Sequence, residues 1–311
     1  MEMRNVGSSG LRVSLVGLGC NNFGWTIEEE ASRAVVTKAL DSGITLFDTA
    51  DYYGAKPGDS EEVLGRLIKG ERDKIILTTK FGIPFIGERR PNTSRSFVLN
   101  AIEGSLRRLQ TDWIDLYMIH WPDATTPMEE TLRVLDDLVT SGKVRYIACS
   151  NLAPWRIVES KWLAREGRTQ GFIAAQNEYS MLARDPEADL IPALRKYDMS
   201  LIPYYPLASG LLTGKYIGGE AQGRLKDNFL NLGNKYLTEA NLEKVRKLSE
   251  FARAAGRTMV ELAMSWLADK PYIPSIIAGA TKPDQVEQNV TAADWKFTAE
   301  ERAQIDAILK A

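Results

Sequence analysis

Four ionisable residues have the types and order that suit proton transfer to a carbonyl oxygen. They are Asp48 and Tyr53 within FDTADYYG, Lys80 within LTTKFG, and His120, the one histidine of the chain, within LYMIHWPD. A tyrosine phenol ionises at about pH 10 and is a poor acid–base group at neutrality. A neighbouring ammonium favours the phenolate and is expected to lower that value. Lys80 supplies such a charge, Asp48 holds it ionised and oriented, and His120 donates a hydrogen bond that orients the same carbonyl oxygen. This set needs no nucleophile, but it needs a source of hydride. The same residues also admit a lyase or aldolase in which Lys80 forms a Schiff base; Asp48 and Tyr53 fit that chemistry less naturally.

Singly, an Asp at a strand end caps a loop, a loop Tyr packs, a Lys is solvated and a His sits satisfied in a core. Their shared placement argues for function. Three of them close short apolar runs and Tyr53 follows just beyond one. Eight such runs are spaced along the chain: Ser14–Gly19, Thr45–Thr49, Lys74–Lys80, Trp113–His120, Val144–Ser150, Ile173–Glu178, Ser200–Tyr204 and Ser275–Ala278. Unbroken apolar runs of this kind suit parallel strands covered by helices. Helical patterns lie between them, as in Glu28–Asp41, Ser94–Leu109, Met128–Thr140 and Pro154–Ala164, with Thr26 and Pro154 as start signals. The pattern predicts an α/β fold, a (β/α)8 TIM barrel, as one domain over residues 1–311. It also predicts an N-terminal β-hairpin outside the barrel (Met3–Val6 with Leu11–Val13). Extra helices are expected after the seventh strand, near Glu239–Ala255 and Thr258–Ala268, and at the C-terminus, Ala299–Leu309 behind Thr298. In such a barrel the catalytic side chains come from the C-terminal strand ends.

Composition narrows the function classes. The 311 residues are 44% hydrophobic and 26% charged with a formal net charge of −2, which suits a large core and offers nothing to nucleic acid or an anionic membrane. The start of the chain lacks the basic and apolar regions of a secretory signal, and no stretch reaches membrane-helix length, so a cytoplasmic protein is expected. Two cysteines, Cys20 and Cys149, are too few for a disulfide framework or a zinc site, and a single histidine argues against a metal-dependent hydrolase. No metal is expected.

The chain resembles the aldo-keto reductase superfamily along nearly its whole length. The motifs that carry the resemblance are GLG, FDTADYYG, SEEVLG, LTTKFG, LYMIHWPD, GKVRYIACSN, AAQNEYS, PYYPLASGLLTGKY and GATKPDQVEQN, in that order. It implies an NADPH-dependent reductase of aldehydes or ketones with the tetrad Asp48, Tyr53, Lys80 and His120, Tyr53 being the acid. It also implies a cofactor extended across the barrel mouth. Ser150, Asn151 and Gln176 match the positions that bind the nicotinamide carboxamide, and Tyr204 matches the aromatic beneath the ring. Tyr205, Pro206, Leu207, Ser209, Gly210, Leu211 and Lys215 match the loop over the pyrophosphate. Gly279, Thr281, Gln285, Gln288 and Asn289 match the adenosine end. Cys20, Asn21 and Asp48 complete the expected contacts. Lys215, Arg224 and Lys282 offer charge to a 2′-phosphate, so NADPH is expected over NADH. The run Gly17–Asn22 begins like a dinucleotide fingerprint but lacks its third glycine, and a Rossmann reading is rejected.

Aromatic residues flank the expected mouth: Phe23 and Trp25 after the first strand, Phe81 and Phe85 after the third, and Trp121 after the fourth. With Tyr53 and His120 they predict a pocket for a small carbonyl compound with an apolar or aromatic body. The loop Ile83–Ser94, with Arg89 and Arg90, adds a possible polar contact. Asn21 and Asn22 replace residues common in relatives and leave the pocket's shape open. A third reading follows from the same resemblance: a non-catalytic NADPH-binding regulatory subunit.

Overall fold

The eight apolar runs form the staves of a barrel. In a computed structural model describing residues 1–83, 90–218, 223, 225–227 and 231–310, a hairpin of β1 (Met3–Asn5) and β2 (Arg12–Ser14) precedes them. The staves are β3 (Val16–Gly19), β4 (Leu46–Asp48), β5 (Ile76–Phe81), β6 (Ile114–Ile119), β7 (Val144–Ser150), β8 (Ala174–Glu178), β9 (Ser200–Tyr204) and β10 (Ile276–Gly279). All are parallel, in the order β10-β3-β4-β5-β6-β7-β8-β9. Leu201 N on β9 donates to Tyr272 O, just before β10, at 2.9 Å and draws the last gap together.

Helices α1 (Glu29–Asp41), α2 (Asp59–Leu67), α3 (Arg95–Leu109), α4 (Met128–Thr140), α5 (Pro154–Gly167) and α6 (Leu190–Lys196) follow successive staves. Between β9 and β10 lie α7 (Leu232–Tyr236), α8 (Glu239–Ala254) and α9 (Met259–Ala268). Helices α10 (Pro283–Thr291) and α11 (Ala299–Lys310) end the chain. Thr258 with Glu261, and Thr298 with Glu301, exchange hydrogen bonds across the first turns of α9 and α11. The expected Thr26 start of α1 does not form. Asn22 O collects the amides of residues 25 to 27, and Thr26 Oγ1 turns back onto Asn22, so α1 begins after Glu28 instead.

The barrel interior is filled by alternate side chains, among them Leu46, Leu116, Met118, Ala174 and Ile202. Val6, Leu11 and Val13 of the hairpin join this cluster, so the hairpin lies outside the eight-stranded sheet but plugs its N-terminal end. Gly7 allows the close approach. Its φ is +56°, and a β-carbon there would stand 2.6 Å from Ile173 O and 2.7 Å from Asp198 O. Arg4 fastens the plug by donating to the carbonyls of Ala268, Lys270 and Ile273 at 2.7, 3.2 and 2.9 Å. Removing it strands acceptors in a partly buried site, so Arg4→Met is expected to cost about 2 kcal/mol, read from the urea unfolding midpoint.

The C-terminal end of the barrel is left open for the site. Behind it, Glu61 of α2 is wholly buried, pairs with Arg108 of α3 at 2.7 Å and accepts from Thr79 Oγ1 of β5 at 2.5 Å. That triad ties two helices to the strand that carries Lys80. Among the described residues no helix is long and apolar enough to cross a membrane.

Candidate active site

Inward-facing positions at the strand ends build the site. Asp48 is the last residue of β4, Lys80 the penultimate residue of β5, and His120 follows β6 directly. All three are buried, at 4%, 0% and 8% exposure. Lys80 Nζ donates to Asp48 Oδ2 at 2.7 Å and to Thr49 O at 2.8 Å, and it stands 4.9 Å from the centre of the Tyr53 ring. The other carboxylate oxygen, Asp48 Oδ1, accepts from Gln176 Nε2 at 3.0 Å. The rings of Tyr53 and His120 meet edge to face, 5.5 Å apart.

The electrostatics follow from this packing. Burial works against the Lys80 charge, but Asp48 and Tyr53 outweigh it and hold the ammonium above its ordinary range. A Schiff-base amine must be neutral and free to attack; Lys80 is neither. For Tyr53 the expected lowering does not occur. Loss of solvation raises the phenol above its ordinary value, and the opposing pull of Lys80 is smaller. Burial, and then the Lys80 charge, press the His120 imidazole down to about 3. At neutral pH the site therefore holds a protonated phenol, an ammonium and a neutral imidazole with one N–H to donate.

These groups open onto a cavity of about 660 Å³. On one side lie Ser150, Asn151, Gln176 and Tyr204, linked in a chain of hydrogen bonds. Tyr204 Oη donates to Asn151 Oδ1 at 2.9 Å, Asn151 Nδ2 donates to Ser150 Oγ at 2.9 Å, and Ser150 Oγ donates to Gln176 O at 2.8 Å. Asn151 Nδ2 also reaches His120 O at 3.1 Å, which ties this wall to the histidine. Trp25, Tyr52, Ile83, Trp121 and Leu232 give the cavity its apolar surface. Trp25 and Trp121 remain 41% and 44% exposed, as befits walls of an open mouth.

The loop after β9 is strained. Tyr205, Ala208 and Ser209 have φ of 53°, 47° and 55°, and Gly210 follows at 96°. Left-handed non-glycine residues persist where surrounding structure imposes them, and they gather at ligand-binding loops. The Ser209 hydroxyl is buried there without a protein partner. The Lys215 side chain passes Gly210 and Gly223, where β-carbons would lie 3.9 and 3.0 Å from its Nζ.

The other sequence-derived positions divide plainly. Asn21, Tyr205, Pro206 and Gly279 line the cavity. Cys20 does not: it is wholly buried, its thiol 3.7 Å from Leu18 O. Phe23 and Phe81, expected at the mouth, are fully buried core residues, Phe81 stacked on Tyr117 at 4.6 Å. Their strand-end location is right, but their side chains point into the layer between barrel and helices. Leu207, Leu211, Lys215, Thr281, Gln285, Gln288 and Asn289 stand outside the cavity wall. Gln285 Oε1 accepts from Thr281 N at 2.7 Å, and Gln288 is exposed while Asn289 is buried. Phe85, Arg89 and Arg224 lie outside the described residues.

Sequence reasoning missed Tyr52, Ile83, Glu178, Leu232 and Ile277, all in the cavity wall. Alternation along β8 places Glu178 on the same face as Gln176 and was a usable signal. Leu232 carried none, because it sits deep in the long insertion before β10.

The family model described as Aldo/keto reductase family matches residues 15–310. The chain is 37% identical to an L-glyceraldehyde 3-phosphate reductase of Escherichia coli (strain K12), over 98% of this chain and 92% of that protein. It is 34% identical to a probable voltage-gated potassium channel subunit beta of Oryza sativa subsp. japonica, over 94% and 92%. It is 33% identical to the aldo-keto reductase YhdN of Bacillus subtilis (strain 168), over 100% and 94%.

Proposed function

The chain belongs to the aldo/keto reductase family, and from that premise we propose that it is an NADPH-linked oxidoreductase that reduces an aldehyde or ketone, with Tyr53 as the proton donor. The observation that carries this reading is the buried Lys80 ammonium, paired with Asp48 at 2.7 Å and standing 4.9 Å from the centre of the Tyr53 ring, with Tyr53 and His120 together in the cavity wall. When bound, NADPH supplies the hydride. Tyr53, protonated at neutral pH, delivers the proton to the carbonyl oxygen. His120 presents its N–H to the same oxygen and fixes the carbonyl's direction. Lys80 stands beside the phenolate that proton transfer leaves and stabilises it there, while Asp48 and Gln176 keep Lys80 in place.

The residues present fit an anionic dinucleotide. The buried, unpartnered Ser209 hydroxyl sits in a loop of left-handed residues with Lys215 passing over it, a setting that suits a pyrophosphate. The Tyr204 ring, held through its hydroxyl, offers a flat face beside Asn151 and Gln176, whose amides suit a carboxamide. The exposed Lys282 at the start of α10, with Lys215, offers charge to a 2′-phosphate. NADPH is therefore expected to bind about tenfold more tightly than NADH by tryptophan-fluorescence titration; equal Kd values would remove the preference.

A panel of aliphatic and aromatic aldehydes, with NADPH oxidation as readout, tests the reaction class. The relatives named as channel beta subunits support a second reading, a cofactor-binding regulatory subunit. NADPH binding with no turnover across the panel would favour it.

A further inference from the structure

Glu178 is a carboxylate in the wall of a cavity meant for a polyanionic cofactor, a placement that like-charge repulsion disfavours. Its partners explain the placement. Glu178 closes β8, pairs in register with Tyr204 across the β8–β9 ladder, and shares the inward face with Gln176. Lys235 Nζ donates to its Oε2 at 2.6 Å, and the Tyr236 hydroxyl donates to its Oε1. Both oxygens are thus taken by consecutive residues of α7, more than fifty positions further along the chain.

Helix α7 has five residues, too few to hold its shape unaided. Leu232, at its start, lies in the same cavity wall as Glu178, Tyr204 and Tyr205. Tyr236, at its end, is buried, and its carbonyl accepts from Asn241 Nδ2 of α8. The Glu178 carboxylate therefore joins a barrel strand end to the helix that supplies one side of the cavity, and Lys235 neutralises its charge.

We propose that Glu178 is a positioning residue for the reaction: through Lys235 and Tyr236 it clasps α7 against the barrel mouth and thereby sets how long the cofactor stays bound. The inference rests on the proposed cofactor site. It assigns the clasp to dissociation, because α7 walls the cavity and contributes nothing to the proton-transfer groups.

Stopped-flow tryptophan fluorescence on the full chain tests it, with NADPH association and dissociation followed in wild type, Lys235→Met, Tyr236→Phe and the double variant. The double variant is expected to release NADPH about tenfold faster, with kon within about twofold. KM for NADPH should rise with it, and kcat should hold or increase. Lys235→Arg should restore slow release, since its charge still reaches the carboxylate. Lys235 is 51% exposed, so its replacement leaves the fold intact and keeps the comparison sound even where the double variant is unstable. A koff within twofold of wild type in both Lys235→Met and the double variant overturns the clasp alone. Failure of the wild-type chain to bind NADPH overturns the cofactor reading and the clasp with it.

Discussion

Tyr53→Phe is expected to lower kcat for aldehyde reduction about a thousandfold while leaving Kd for NADPH within about threefold. The substitution deletes one hydroxyl and keeps the ring, so the edge contact with His120 at 5.5 Å and the face turned to Lys80 Nζ at 4.9 Å both persist. What disappears is the proton donor. Positioned general acids contribute about 10² to 10⁴ in rate, and no other group at the cavity floor replaces this one. Lys80 is locked into Asp48 and Thr49, and His120 is a neutral imidazole pressed far below its ordinary value. KM for the carbonyl should stay near the wild-type value, because His120 and the aromatic walls still hold the substrate. Steady-state kinetics with saturating NADPH decide the matter. A kcat within tenfold of wild type would remove Tyr53 as the donor and leave the tetrad's role to be reassigned.

The tetrad was legible in sequence because a parallel barrel delivers strand ends to one rim. Once the apolar runs containing Asp48, Lys80 and His120 are read as consecutive strands, their convergence follows from topology. Periodicity also located the helices to within a few residues, since β and α segments bury faces with different repeats. Strand-end proximity did not report side-chain direction. Phe23 and Phe81 sit at the rim in sequence but turn into the outer layer, whereas Trp25 and Trp121 face the cavity. Thr26 carried a cap pattern that a competing turn around Asn22 overrode. The hairpin was visible, but not its use as a plug, which depends on packing between Val6, Leu11, Val13 and residues from several distant strands. The sign of the Tyr53 shift was missed for a related reason. A neighbouring lysine can be inferred from spacing, but the desolvation that outweighs it comes from everything that encloses the phenol.

The wild-type chain is expected to lose about 2 kcal/mol more stability between pH 6.5 and 5 than a His120→Gln variant does. His120 has an ordinary value of about 6.5 in the unfolded chain and is pressed to about 3 in the fold by burial and by Lys80. Within that window the unfolded state binds a proton that the native state does not. Stability attributable to His120 is therefore complete above about pH 6.5 and drains at up to about 1.4 kcal/mol per pH unit as the pH falls toward the folded value. The sum over the full window is about 4–5 kcal/mol, a large share of a typical folding free energy. Asp51 works in the opposite sense. Burial, and then Glu61, raise its carboxyl well above the ordinary range against the pull of Arg108 and Lys80, so the native state takes up its proton first and gains stability on acidification. The net curve for the wild type thus mixes two opposed titrations, and only the difference between wild type and variant isolates the histidine. Carboxylates held low by their partners, such as Asp269 by Arg302 and Glu261 by the Thr258 amide, release their contribution only below about pH 4.5 and cancel in the difference. Urea unfolding midpoints for both proteins across pH 5 to 8 make the measurement. Parallel curves would mean that His120 is solvated in the fold and titrates normally. That outcome would also predict a break near pH 6.5 in kcat/KM for the carbonyl, where a buried neutral imidazole predicts none.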